Sequence, residues 1–166
     1  MTPSYSNALI IGAGSGLSAS LARLFHARGL GVSFAARTPS DLAALAAETE
    51  ASVHACDASD AAQVAALFET LDGERAPDVV VYNPSARVRG PLVSLDPAEV
   101  ARAVEVTALG AFYAGREAAG RMLERGRGAI LFTGASAGVK GFPQSAPFAM
   151  GKFALRGLAQ SMAREL

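Results

Sequence analysis

The chain has 166 residues, enough for one domain with a substantial core, and 51% of them are hydrophobic. Fifteen basic residues balance fifteen acidic ones, which leaves no electrostatic case for a nucleic acid or an anionic membrane surface as partner. Cys56 is the single cysteine, so an intrachain disulfide is excluded and the cytoplasm is the expected compartment. No apolar run approaches the length that spans a bilayer. The apolar N-terminal stretch lacks a basic leading segment and is interrupted by glycines, so it reads as mature structure, not as a signal peptide.

In chain order, the apolar run from Asn7 to Ile11 ends in Gly12, Gly14 and Gly16, and apolar residues then recur at helical spacing over 19–28. This predicts a strand, a tight turn and a helix. Residues 31–36 read as a second strand. Thr38-Pro39-Ser40-Asp41 carries helix-start chemistry, with a capping residue, a proline and an acid in order. A third strand is expected over 52–56 and a helix over 60–71. Val79-Val80-Val81 marks the strand 78–82 as buried on both faces. Asp96-Pro97-Ala98-Glu99 opens a long helix that is expected to run to about Arg125. Gly126-Arg127-Gly128 turns the chain into a strand over 129–133, and a last helix begins near Ala146 and continues to Leu166. Strand and helix alternate throughout. The expected fold is α/β, a doubly wound parallel sheet of Rossmann type with helices on both faces, in a single domain over 1–166. His26 and His54 have no Cys or His partners at ligand spacing, and no metal is expected.

The glycine turn is the first chemical signal. A backbone without Cβ can take positive φ and lie against a pyrophosphate, and the following helix points free N–H groups and its positive dipole end at the same place. A dinucleotide is the natural ligand. At the end of the second strand, where an acid would bind the ribose 2′-hydroxyl of NAD, stand Ala36 and Arg37. A guanidinium can grip a 2′-phosphate with two parallel hydrogen bonds, so NADP(H) is expected over NAD(H).

These residues resemble the short-chain dehydrogenase/reductase family over the entire chain. Gly12 and Gly16 match the family's Gly-x-x-x-Gly-x-Gly loop, with Leu17 in the aliphatic place, while Ser18 replaces the third glycine and is expected to crowd the helix against the loop. Asp57 matches the acid that hydrogen-bonds the adenine; capping the next helix is its structural alternative. Tyr82-Asn83-Pro84-Ser85 stands in place of Asn-Asn-Ala-Gly, keeping only Asn83. The resemblance implies that Gly12, Ser15, Gly16, Leu17, Arg37, Asp57, Asn83 and Lys152 hold the cofactor.

The same resemblance implies a tyrosine four residues before a lysine, a serine that orients the substrate oxygen, and an asparagine. Lys152 fits the lysine, but Phe148, Ala135 and Thr107 occupy the other three places. The only tyrosines are Tyr5, Tyr82 and Tyr113, so no shift of register restores the acid, and Ser145 stands where a divergent enoyl-reductase branch has its tyrosine. Lys152 is one of two lysines beside thirteen arginines and lies in an otherwise apolar helix start, where a bound ribose would partner its charge. Ser136 is the remaining candidate hydroxyl for catalysis. Arg87 and Arg89 follow the fourth strand, as binders of an anionic substrate or as solvated loop residues.

Family members continue into further strands, so the chain is expected to be truncated in or after its last helix, with the last two family strands absent. The leading expectation is an atypical NADP(H)-dependent oxidoreductase acting on a carbonyl, alcohol or enone. The alternative is a non-catalytic NADP(H)-binding protein, a cofactor sensor or partner subunit. Small residues on the two long helices (Ala111, Gly115, Ala118, Ala119, Gly157 and Ala159) suggest a homodimer or homotetramer formed through them.

Overall fold

Alternating runs buried on both faces dictate a sheet wrapped by helices, and the computed structural model, which describes residues 5–166, has that architecture. The strands are β1 (Asn7–Ile11), β2 (Gly31–Ala36), β3 (Ser52–Ala55), β4 (Val79–Tyr82) and β5 (Ala129–Phe132). All pair in parallel, in the order β3-β2-β1-β4-β5. The helices are α1 (Leu17–Ala27), α2 (Ala43–Thr49), α3 (Ala61–Glu74), α4 (Pro97–Val104), α5 (Gly110–Arg125) and α6 (Ala146–Glu165). Successive strand residues point to opposite faces. Leu9, Ile11, Val80 and Tyr82 therefore pack with Phe68 of α3, Ala111 of α5 and Leu155 of α6, whereas Ala8, Ile10, Val32, Phe34 and Val81 pack with Ala19 and Ala22 of α1 and Leu45 of α2. The chain reverses direction across the sheet between β1 and β4, which opens a crevice at their carboxyl ends.

Two expectations need correction in detail. The helix start at Thr38 gives a 3₁₀ turn, Pro39–Leu42, before α2, and the Thr38 side chain makes no capping bond. The long helix expected from Asp96 is interrupted by a π turn over Glu105–Leu109. Its cause lies on the sheet. The Tyr82 hydroxyl donates to the Val106 carbonyl at 2.6 Å, and the Gly110 N–H bonds to Glu105 O instead. Gly110 permits this close approach, because a Cβ there would run into the Tyr82 hydroxyl and the Ala58 carbonyl. Of the small residues expected at an assembly face, Ala111 and Ala118 are core residues, and Gly115 packs on Met162 and Phe132 of the same chain, whereas Gly157 is exposed with open space around it. The apolar side chains that face outward here include Leu109 of the π turn, Phe112 and Leu123 of α5, and Met150 and Phe153 of α6.

Candidate cofactor and active site

The residues after β1, β2, β3 and β4 meet at the carboxyl edge of the sheet around a cleft of about 710 Å³. Its wall includes Gly12, Gly14, Ser15, Arg37, Asp57 and Asn83, together with Ala86 and Arg102. Gly12 has φ +73° and its N–H donates to Ala35 O at 2.8 Å, which turns the chain sharply off β1. A Cβ on Gly12 would lie 2.6 Å from Pro84, so the loop and the segment after β4 close on each other only through this glycine. Gly14 and Gly16, by contrast, border open space. Gly16 caps α1 without a side-chain bond, so the N–H groups of Leu17 and Ser18 remain for an anion while those of Ala19 and Ser20 turn back to Gly16 O, and Leu17 is exposed on that turn. This cradle suits a pyrophosphate.

Ser18 does not crowd the helix. It is buried, its hydroxyl lies 3.4 Å from Gly12 O as donor and accepts from Asn83 Nδ2 at 2.9 Å. Asn83 Nδ2 also reaches Gly12 O at 3.3 Å, and its backbone N–H donates to Ile11 O. The amide of Asn83 is thus spent on tying β4 to the glycine loop. The hydroxyl at position 18 is a working part of that tie, which the sequence pattern did not reveal.

Arg37 is exposed at the end of β2 and makes no ion pair with any described residue. Asp57 is held more firmly. Its Oδ1 accepts from the Ser59 hydroxyl at 2.6 Å and the Ser59 N–H at 3.0 Å, and its Oδ2 accepts from Arg102 of α4 at 2.7 Å. The Ser59 hydroxyl, helped by the Ser59 N–H and by Arg102, holds the carboxyl at about 2, below its ordinary 3.8. Asp57 does not cap α3; Asp60 does, accepting from Ala62 N and Gln63 N. Oδ2 has no other hydrogen-bond partner among the described residues. Arg102 lies 45 positions away in the chain and had no signal in the sequence. Beside it, burial and then Asp57 push the Cys56 thiol up to about 11, which makes it inert at neutral pH.

Lys152 and Ser136 stand apart from this wall. Lys152 is 4% exposed, and its ammonium donates to the carbonyl of Thr133, the residue after β5, at 2.6 Å. Its partner is therefore already in the chain. Burial, and then the charge of Arg87, lower its pKa from the ordinary lysine value. Phe148 lies one turn earlier on α6, with the Arg87 guanidinium 4.5 Å above its ring and Lys152 Nζ 6.0 Å from it. Ser136 is exposed in a 3₁₀ turn, Ser136–Gly138. Ala135 precedes it, and Ser145 is buried just before α6. Thr107, within the π turn, is fully buried, and its hydroxyl accepts the Ala86 N–H at 3.2 Å. It fixes the segment from which Arg87 projects. A more apolar hollow of about 480 Å³ lies between the ends of α5 and α6 and β5, away from these residues. Among the described residues no group of three or more His, Cys, Asp and Glu is placed so that it could hold a metal ion. None of their helices is long and apolar enough to cross a membrane.

A parallel sheet whose order reverses between β1 and β4, with a glycine loop opening onto that crevice, defines a Rossmann-like α/β protein. The chain belongs to the short chain dehydrogenase family, whose pattern matches residues 6–166. The short-chain dehydrogenase of Rhodopseudomonas palustris superposes with a TM-score of 0.92 at 36% identity, covering 97% of this chain and 78% of that one. A metagenomic short-chain oxidoreductase solved in complex with NADP does so with a TM-score of 0.92 at 30% identity, covering 97% and 76%. (+)-Borneol dehydrogenase 1 of Salvia officinalis is 31% identical over 166 residues, 96% of this chain and 63% of its own length. The chain spans 32%, 43% and 63% of the lengths of three curated relatives that it matches.

Proposed function

We propose that the protein is an NADP(H)-dependent oxidoreductase that reduces a carbonyl or enone or oxidises the corresponding alcohol. The observation that carries this reading is the cleft at the β1/β4 crevice. It combines an open glycine cradle with an unpaired Arg37, which stands directly after β2 where an acid would repel a 2′-phosphate, with Asp41 further along the same wall. The NADP complex of the metagenomic relative supports the same cofactor. In this reading Gly12, Ser15, Gly16 and Leu17 shape the pyrophosphate cradle, Arg37 takes the 2′-phosphate, Asp57 faces the adenine, Asn83 braces the loop and Lys152 lies toward the nicotinamide ribose. The cofactor supplies the hydride. Phe148 and Ala135 bring no proton, so the acid is water or a hydroxyl such as that of Ser136. A homodimer formed through the outward apolar residues Leu109, Phe112, Met150 and Phe153, in the cytoplasm, completes the proposal.

A second reading, a non-catalytic NADP(H)-binding protein, is favoured by the same apolar Phe148 and Ala135. NADPH consumption on a panel of aldehydes, ketones and enones separates the two.

The cofactor part is tested by fluorescence titration with NADPH and NADH. The expected result is NADPH preference, lost in Arg37→Ala through a drop in NADPH affinity of roughly 10- to 100-fold, the scale of charge-assisted hydrogen bonds to one phosphate. Equal affinity for the two nucleotides in the unaltered protein would overturn the NADP(H) assignment.

A further inference from the structure

We propose that Arg102 of α4 is a positioning residue of the nucleotide site, which turns the Asp57 carboxylate so that Oδ2 accepts from the exocyclic amine of the cofactor's adenine. This rests on the NADP(H) reading for placing the base at that end of the cleft; the clamp on the carboxylate rests on geometry alone.

Arg102 and Asp57 both line the cleft, together with Ala58 and Val106. Ser59, two residues after Asp57, holds only Oδ1, through its hydroxyl at 2.6 Å and its N–H at 3.0 Å. Bonds to one oxygen leave the other free to swing about it. Arg102 supplies the missing point from a different element. Its Nη2 donates to Oδ2 at 2.7 Å, and its Nη1 donates to the Ser59 hydroxyl. The planar fork thus ties both the carboxylate and the hydroxyl that holds it. Glu105 comes no nearer to the fork than 3.9 Å, too far for a hydrogen bond.

A carboxylate has about four acceptor positions. Donors of the chain fill two on Oδ1 and one on Oδ2, so among the described residues only Oδ2 keeps an acceptor position. The side chain is partly exposed in the cleft wall, where a ligand donor can meet that position. Asp57 also stays ionised near neutral pH, because the Ser59 hydroxyl, then the Ser59 N–H and Arg102, hold its carboxyl at about 2. An ionised carboxylate only accepts, and the amine of adenine is a donor.

The arm that carries Arg102 is itself fixed. Asp96 caps the start of α4, accepting from Ala98 N at 2.9 Å. Val106, four residues after Arg102, gives its carbonyl to the Tyr82 hydroxyl of β4 at 2.6 Å. The direction of Oδ2 is therefore referred to an interior strand of the sheet, through α4 and the π turn.

The test is calorimetric titration with NADP⁺ and with 1,N6-etheno-NADP⁺, whose base carries no amine hydrogen. The expected result is NADP⁺ bound at least about tenfold tighter than the etheno analogue by the unaltered protein. In Arg102→Leu, NADP⁺ affinity is expected to fall about fivefold or more while that of the analogue stays within about twofold. Arg102→Lys keeps one donor for Oδ2 and is expected to recover part of the preference. Loss of the same factor for both nucleotides in Arg102→Leu means that Arg102 only supports the fold, and overturns the proposal. Equal binding of both by the unaltered protein shows that the amine is not read; it overturns the proposal and leaves the cofactor reading intact. A preference narrowed by tighter analogue binding, with NADP⁺ unchanged, means that Arg102 merely bounds the space for the base, and also overturns it. Binding of neither nucleotide removes the cofactor reading, and the proposal with it. Arg102 is half exposed, and thermal melting checks the variant; if Arg102→Leu fails to fold, Arg102→Met is expected to lose the same preference.

Discussion

Around Gly12, Arg37 and Asp57 the carboxyl edge of the sheet offers an open cradle, a free guanidinium and a carboxylate already neutralised by Arg102. Around Phe148, Arg87 and Lys152 the same edge offers an aromatic ring flanked by two cations and no acid. The first region depends mostly on backbone: a positive φ, exposed helix N–H groups and glycines without neighbours. The second would depend on side-chain hydroxyls, and two of the expected places hold Phe148 and Ala135. A nucleotide cleft can therefore persist in this fold while the proton-transfer groups are exchanged, because the two are made from different parts of the chain.

The largest expected effect tests that separation directly. Phe148→Tyr combined with Ala135→Ser is expected to raise NADPH-dependent carbonyl reduction by about 10²- to 10⁴-fold, the range a positioned acid supplies. NADPH affinity should stay within about twofold, since neither residue touches the cradle wall. An unchanged rate would mean that the Arg87 guanidinium over the ring, not the missing hydroxyl, limits access to the carbonyl.

Two of the cradle's three glycines, Gly12 and Gly14, sharpen the comparison from the other side. Gly12→Ala puts a Cβ at positive φ and against Pro84, and should cost ~2–4 kcal/mol of stability in urea denaturation. Gly14→Ala meets nothing in the chain and should change stability by less than ~0.5 kcal/mol, while lowering NADPH affinity about tenfold by occupying the space left for the pyrophosphate. Equal destabilisation by both would show that the cradle is closed and not a ligand space.

Much of this architecture is legible in the sequence because its signals are local. Val79-Val80-Val81 is apolar on both faces and becomes β4, an interior strand between β1 and β5; Asp60 and Asp96 stand before their helices and cap them. What escapes the sequence is set by distant pairs. The π turn exists because the Tyr82 hydroxyl, on a strand, captures the Val106 carbonyl, on a helix. Asp57 and Asp60 are the same residue type three positions apart, and only Arg102, brought up from α4, separates a cleft carboxylate from a cap. Likewise Ser18 looks like a defect in the loop until Asn83 arrives from β4 to bond it. Glycine spacing found the cleft, but which cations would remain unpaired in it was a property of the folded chain.

The smallest expected effect concerns the neutralised carboxylate. Asp57 is held at about 2 in the folded protein against 3.8 ordinarily, so its ionised form favours the fold. That contribution is fully present above about pH 4 and is lost as pH falls toward 2, where the folded-state carboxyl also takes up its proton. Arg102 is half exposed and water screens the pair, so the measurable share is about 1 kcal/mol. Asp57→Asn should therefore lower stability by about that amount at neutral pH and flatten the acid limb of a stability-against-pH curve between pH 4 and 2. Arg102→Leu should reproduce only part of the loss, because both Ser59 bonds to Oδ1 survive it. If the two variants lose the same amount, Arg102 alone carries the effect. The Ser59 contacts would then be geometric consequences of the turn, and the Asp57 side of the cleft would owe its order to α4.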